Sequence, residues 1–120
     1  MPLYRKEFTH AERVAQSARI RERFPDLIPI ICERSEQNKD GSVPVIDKRK
    51  FLVPPDLSMA QFVLVIRKRV KLPPQQALYV FVNSDTLAPT SALISHLYEQ
   101  HKADDGFLYM TYTGENTFGS

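Results

Sequence analysis

Two proline pairs, Pro54-Pro55 and Pro73-Pro74, constrain the middle of this chain more than any other feature. Proline lacks an amide hydrogen and fixes φ, so each pair must end whatever ladder or helix reaches it. The first pair stops the apolar run Phe51-Leu52-Val53, which predicts a short strand, and the second keeps a helix from continuing. Between them Ser58 precedes Gln61 at the spacing of a capping box. Phe62, Val65, Ile66 and Arg69 then recur at the steps that stack side chains on one helical face. Cations bracket the unit, with Lys48-Arg49-Lys50 before the strand and Arg67 to Lys71 at the end of the helix. Two readings follow. In one, the strand edge and the helix wall hold an extended acidic-hydrophobic peptide. In the other, Phe51, Phe62 and Ile66 are core and the cations form a solvated face.

Elsewhere the pattern supplies the remaining elements. The first ten residues carry little periodicity. Thr9 and Glu12 have capping-box spacing, and no Gly or Pro interrupts the chain until Pro25, which predicts a helix from about Ala11 to Phe24. Its apolar positions Val14, Ala18 and Ile20 are interleaved with Arg13, Arg19, Arg21 and Arg23, so it should lie on the outside, with Ile20 partly exposed. Leu27 to Glu33 reads as a strand, and Pro29 places it where one side needs no amide. Residues 35–47 have the Asn, Asp, Gly and Pro content of a surface loop joining two strands of a hairpin. Ala77 to Val82 predicts a strand buried on both faces, and Pro89-Thr90-Ser91 opens a helix to about His101 with Leu93, Ile94, Leu97 and Tyr98 inward. Asp104-Asp105 reads as a solvated turn, with Asp105-Gly106 leading into a final strand from Phe107 to Tyr112. The last residues read as a projecting tail. The order helix, two strands, helix, strand, helix, strand predicts an α+β fold with a helix packed across the sheet, of the ubiquitin-like β-grasp kind.

The chemistry this sequence offers is that of a binding module. His10, His96 and His101 lack metal-ligand spacing, and Cys32 has no second cysteine beside it. Cys32 sits in an apolar strand, where a small core residue is expected rather than a nucleophile. Gly41, Gly106, Gly114 and Gly119 form no phosphate-cradling loop, and neither a metal nor a cofactor is expected. The basic clusters lack the interleaved aromatics of a nucleic-acid binder, Phe51 apart. No apolar run approaches the roughly 20 residues that cross a bilayer, so the chain should be cytosolic or nuclear. Charge divides along the chain: residues 1–71 hold 15 Lys and Arg against 9 Asp and Glu, while residues 72–120 hold one against five. A basic N-terminal portion attracts acidic partners and speeds their encounter.

Several segments together resemble one known family. They are Ile20-Arg21-Glu22-Arg23-Phe24-Pro25-Asp26, Pro29-Ile30-Ile31, Lys50-Phe51-Leu52-Val53-Pro54, Gln61-Phe62, Ile66-Arg67-Lys68-Arg69, Phe81-Val82-Asn83, Leu97-Tyr98, Phe107-Leu108-Tyr109 and Phe118-Gly119. In this order, over about residues 5 to 119, the sequence resembles the ubiquitin-like autophagy modifiers of the GABARAP and light-chain-three type. The resemblance implies a β-grasp domain at 26–113 with a four-stranded mixed sheet, a helical extension of two extra helices at 1–25, and a conjugation tail at 114–120. It also implies that a cysteine protease removes Ser120 and that E1-like and E2-like enzymes then carry the carboxyl of Gly119. The acceptor would be phosphatidylethanolamine on autophagosomal membranes, leaving the unconjugated form cytoplasmic. Such modifiers are substrates of enzymes rather than enzymes.

The family binds acidic aromatic-x-x-aliphatic motifs of cargo receptors and adaptors. Carried over by position, an aromatic pocket would involve Ile20, Pro29, Ile31, Lys50, Leu52 and Phe107. An aliphatic pocket would involve Phe51, Val53, Pro54, Leu57, Phe62, Val65 and Ile66, with Arg69 receiving acidic groups. Two departures bear on these pockets: Gln16 stands where an acid is common, and Gly106 where GABARAP has an aromatic, which would enlarge or loosen the aromatic pocket. The alternative function is a non-conjugated scaffold, associated with microtubules or receptors through the basic N-terminal helix.

Overall fold

In a computed structural model that describes residues 2–36 and 43–114, the chain forms four helices and four strands. They are α1 Leu3–Glu7, α2 His10–Arg23, β1 Ile28–Arg34, β2 Lys50–Val53, α3 Met59–Val70, β3 Tyr79–Val82, α4 Ile94–His101 and β4 Leu108–Thr113. Both capping boxes form. Thr9 Oγ1 accepts from the Glu12 amide at 3.1 Å while Glu12 accepts from the Thr9 amide at 2.8 Å, and Ser58 and Gln61 repeat the exchange at 3.2 and 2.8 Å. At the far end of α3, Lys71 turns left-handed (φ 59°) and the Leu72 amide donates back to Arg67, closing the helix before Pro73.

The strand order is β2-β1-β4-β3, with β1 antiparallel to β2, parallel to β4, and β4 antiparallel to β3. This mixed sheet makes β1 an interior strand, so Pro29 does not mark an edge. Its missing amide would point toward β4, whose ladder with β1 begins one residue later, at Ile30 and Leu108. The strand predicted from Ala77 is shorter, beginning at Tyr79, and forms the edge beside β4. Its inner residues are nonetheless buried on both faces, Val80 and Val82 in the main core and Phe81 opposite.

Two apolar clusters sandwich the sheet. The larger joins Ile30, Cys32, Phe51, Val53, Leu108, Met110 and Tyr112 to Met59, Phe62 and Ile66 of α3 and to Ile94 and Leu97 of α4. The smaller joins Tyr4, Ile31, Phe107 and Tyr109, with Phe8 and Ile20 against it. Alternation along β1 thus sends Ile30 and Cys32 to one face and Ile31 to the other. Cys32 is fully buried, and burial pushes its thiol well above the usual range, so it packs rather than reacts.

Three expectations are corrected, and the outside placement of α2 is filled in. Helix α4 begins at Ile94, not near Pro89, because the carbonyls of Thr90 and Ala92 accept from the amides of Ala60 and Met59 and finish the first turn of α3. The loop's last residues are not a surface feature throughout: Val43 is fully buried, Ile46 nearly so, and the Tyr112 hydroxyl accepts from the Ile46 amide and donates to the Pro44 carbonyl, each at 2.7 Å. Helix α2 docks through Arg13 and Ser17, while Val14 and Ala18 face outward. Asp105 is buried, not solvated: it accepts from Arg13 Nε at 2.9 Å, Tyr109 Oη at 2.5 Å and the Phe107 amide at 3.0 Å.

Gly106 completes this clamp. It holds φ +94°, and a Cβ there would lie 2.6 Å from Ser17 Oγ of α2, whose hydroxyl donates to the Asp105 carbonyl. Gly106→Ala combines a disfavoured backbone with a clash, and is expected to lower stability by about 1–3 kcal/mol. Urea unfolding checks this; an unchanged midpoint would remove the close approach from the account.

Candidate functional site

The exposed edge of β2 is the organising feature of the site. The Cys32 amide donates to the Arg49 carbonyl at 2.8 Å, and Ile31 faces Lys50 while Pro29 faces Leu52. In an antiparallel pair the residues that exchange hydrogen bonds alternate with residues that do not. Arg49, Phe51 and Val53 therefore bond inward to β1, whereas the amides and carbonyls of Lys50 and Leu52 point away from the sheet. An extended chain laid along this edge would meet two donors and two acceptors at strand spacing.

Side chains sort into a floor and a rim. Pro29, Ile31, Phe51, Val53, Phe62, Ile66 and Phe107 are buried. Phe51 and Phe62 meet edge-on with ring centroids 5.8 Å apart inside the main core, so the reading of Phe51, Phe62 and Ile66 as core holds. Ile20, Lys50, Leu52 and Leu57 are half-buried, and Pro54, Val65 and Arg69 are exposed. The structure thus gathers the predicted residues around β2 and α3, but only this second group can touch a ligand directly.

On the α2 side a cavity of about 610 Å3 opens between Gln16, Arg19, Ile20, Arg23, Phe24 and Lys50. Gln16, Arg19, Arg23 and Phe24 were not among the expected site residues, although steps of three and four from Ile20 would have found Gln16, Arg23 and Phe24. Lys50 Nζ donates to Gln16 Oε1 at 3.3 Å, and the Tyr4 hydroxyl donates to the same oxygen. Burial, then repulsion from Arg49 and Arg19, holds the Lys50 pKa below its usual range. Gln16 brings no charge to Lys50, and although Glu22 lines the same hollow and Arg49 is paired with Glu7 and Glu33, the cations Arg19, Arg23 and Lys50 outnumber that one acid at its mouth. Gly106 is not on the wall of this hollow; its bare backbone lets the 105–106 turn close on α2 at Ser17.

The aliphatic side is bounded by Leu57 and by Pro54 at the end of the strand, with Val65, 37% exposed, on the helix. Arg69 meets Asp47 through Nε at 2.8 Å in an exposed pair, which incoming acids would have to share or displace. Arg67 likewise donates to the Gln76 carbonyl at 2.8 Å and braces the loop after α3. Lys48, with its Nζ 5.6 Å from the Phe51 ring centroid, and Lys50 carry positive charge to the edge itself.

A family model described as "Autophagy protein Atg8 ubiquitin like" matches residues 12–119. The chain belongs to the Atg8 family. Autophagy-related protein 8 of Saccharomyces cerevisiae is 55% identical over 116 residues, covering 97% of this chain and 96% of the yeast protein. Autophagy-related protein 8a of Arabidopsis thaliana is 58% identical over 108 residues, covering 90% of this chain and 85% of the plant protein. The crystal structure of Trypanosoma brucei ATG8 superposes with a TM-score of 0.88 at 44% identity and covers 99% of each chain. The fold is therefore the ubiquitin-like β-grasp of Atg8, and the chain is a ubiquitin-like autophagy protein of that family.

Proposed function

We propose that this Atg8-family chain is a modifier whose Gly119 carboxyl, after a cysteine protease removes Ser120, is passed through E1-like and E2-like enzymes to phosphatidylethanolamine on autophagosomal membranes. Once anchored, it recruits cargo receptors and adaptors that carry acidic aromatic-x-x-aliphatic motifs. The observation that carries the recruiting half is the outward-pointing β2 edge between the Gln16–Lys50 cavity and the Leu57–Val65 rim. Backbone pairing would supply affinity, the two hollows would read alternate side chains, and Lys48 and Lys50 would steer acids. The anchoring half rests on family membership; Gly119 and Ser120 lie outside the described residues. No helix among those residues is long and apolar enough to cross a membrane; a two-chain lipid would by itself give stable anchoring.

Mass spectrometry of the membrane fraction tests the anchoring half. The wild-type chain should lose Ser120 and gain the mass of the lipid, whereas Gly119→Ala should remain without lipid. Its normal lipidation would refute the terminal role. A chain that keeps Ser120 and is never lipidated would instead favour the non-conjugated scaffold.

A further inference from the structure

Lys50 belongs to both parts of the candidate site: its backbone lies on the outward edge of β2, and its side chain is on the wall of the hollow beside α2. Gln16 of α2 holds that side chain. Lys50 Nζ donates to Gln16 Oε1 at 3.3 Å, and the same oxygen accepts from the hydroxyl of Tyr4, which is only 1% exposed. An amide oxygen has two lone pairs, so these two donors fill it. Tyr4 is in turn fixed by Phe8 and Phe107, with ring centroids 4.8 and 5.4 Å away. The aim of Gln16 is therefore set from inside the molecule.

This holder is polar but uncharged. Among the described residues Lys50 makes no ion pair, and the charges that act on its ammonium, those of Arg49 and Arg19, both repel it. Neighbouring cations are not equivalent, since Arg49 is engaged by Glu7 and Glu33 and Arg13 by Asp105. Lys50 is half-buried where Lys48 is exposed, so a carboxylate that reaches it meets a charge less screened by water. A glutamate at position 16 would match Gln16 in length and shape, yet would pair with the ammonium inside the protein. Exchange of one amide nitrogen for an oxygen thus decides whether the Lys50 charge faces a ligand.

We propose that Gln16 is the specificity-determining residue of the β2-edge site: by holding Lys50 through a neutral oxygen, it leaves the ammonium for a carboxylate beside the peptide's aromatic anchor. This rests on the peptide-binding reading of that edge. It assigns the preference to one contact rather than to the basic character of the whole N-terminal portion.

Calorimetric titration of the full chain with two peptides tests it, one carrying glutamate immediately before the aromatic of an aromatic-x-x-leucine motif and the other glutamine. Wild type should prefer the acid by about tenfold, the size of one charge-assisted hydrogen bond. Gln16→Glu should bring the two affinities to within about twofold by weakening the acidic peptide. Ala18→Glu, which adds the same charge on the outward face of α2, should keep the preference. NMR titration of the Lys50 side chain without peptide reads the contact itself: its pKa should rise in Gln16→Glu, where a carboxylate favours the ammonium, and hold in Ala18→Glu. Wild type that binds neither peptide would overturn the edge as a site and this inference with it. Equal binding of both would leave the edge standing and overturn only the role of Gln16. A preference that survives Gln16→Glu, a preference that falls as far in Ala18→Glu, or a Lys50 titration unmoved by Gln16→Glu would overturn that role as well.

Discussion

Asp105→Ala is expected to lower the free energy of unfolding by about 3–5 kcal/mol, the cost of leaving a buried charge without its partner. Asp105 is 2% exposed and Arg13 is 9% exposed. Burial alone would raise the Asp105 pKa. Hydrogen bonds from Tyr109, the Phe107 amide and Arg13, with the Arg13 charge, outweigh it and hold the group below its usual range. The sign of the pH effect follows. A folded-state pKa below the unfolded one adds stability above the unfolded value of about 3.9, and that stability is lost as pH falls through the folded pKa. Urea unfolding at neutral and acid pH should therefore show a wild-type acid loss that is smaller in Asp105→Asn. A neutral-pH loss for Asp105→Ala below about 1 kcal/mol, the level of a surface pair, would show that the clamp is not a buried ion pair in solution. The clamp matters for function because α2, which it holds through Arg13 and Ser17, also carries Gln16 and Ile20 to the cavity beside Lys50.

Leu52→Pro should separate folding from binding at the β2 edge. Its amide points away from β1, so proline there breaks no ladder bond, and an edge strand tolerates it. An incoming peptide loses one donor, worth about 0.5–1.5 kcal/mol, and part of a half-buried leucine contact, worth about 1.5–3 kcal/mol when complete. Together these exceed the 1.4 kcal/mol that corresponds to a factor of about ten in affinity. Calorimetric titration with an acidic aromatic-x-x-leucine peptide should show at least that loss, with near-native circular dichroism and melting. Equal affinity would remove the edge from the site. Phe51→Ala is the poorer probe: Phe51 is in the core against Phe62, and losing a buried phenylalanine costs about 3–5 kcal/mol of stability, so weaker binding would not report on contact.

What the sequence made legible was what depends on neighbours in the chain. Both capping boxes, the proline stops and the period of α3 are local, and each lies where its spacing places it. The misreadings have distant causes. The α4 boundary depends on α3 amides some thirty positions earlier, and the inward face of α2 is polar because its partner is Asp105. The first ten residues show no period because α1 is a single short helix that buries Tyr4 beneath Arg49 and Lys50. The site divides in the same way. Its location followed from the strand and its proline stop, but periodicity cannot tell a floor residue such as Phe62 from a rim residue such as Val65, since both lie on faces that pattern alone marks as apolar.

The borrowed carbonyls of Thr90 and Ala92 have a consequence for motion. Because α3 is finished by the stretch that leads into α4, and the Ile94 amide returns a bond to Leu57, these two helices are stitched at their starts and must open as one cooperative unit. The α3 side of the candidate site is thereby tied to α4 on the same face of the sheet, so of its two sides the α2 side would be the one left to adapt.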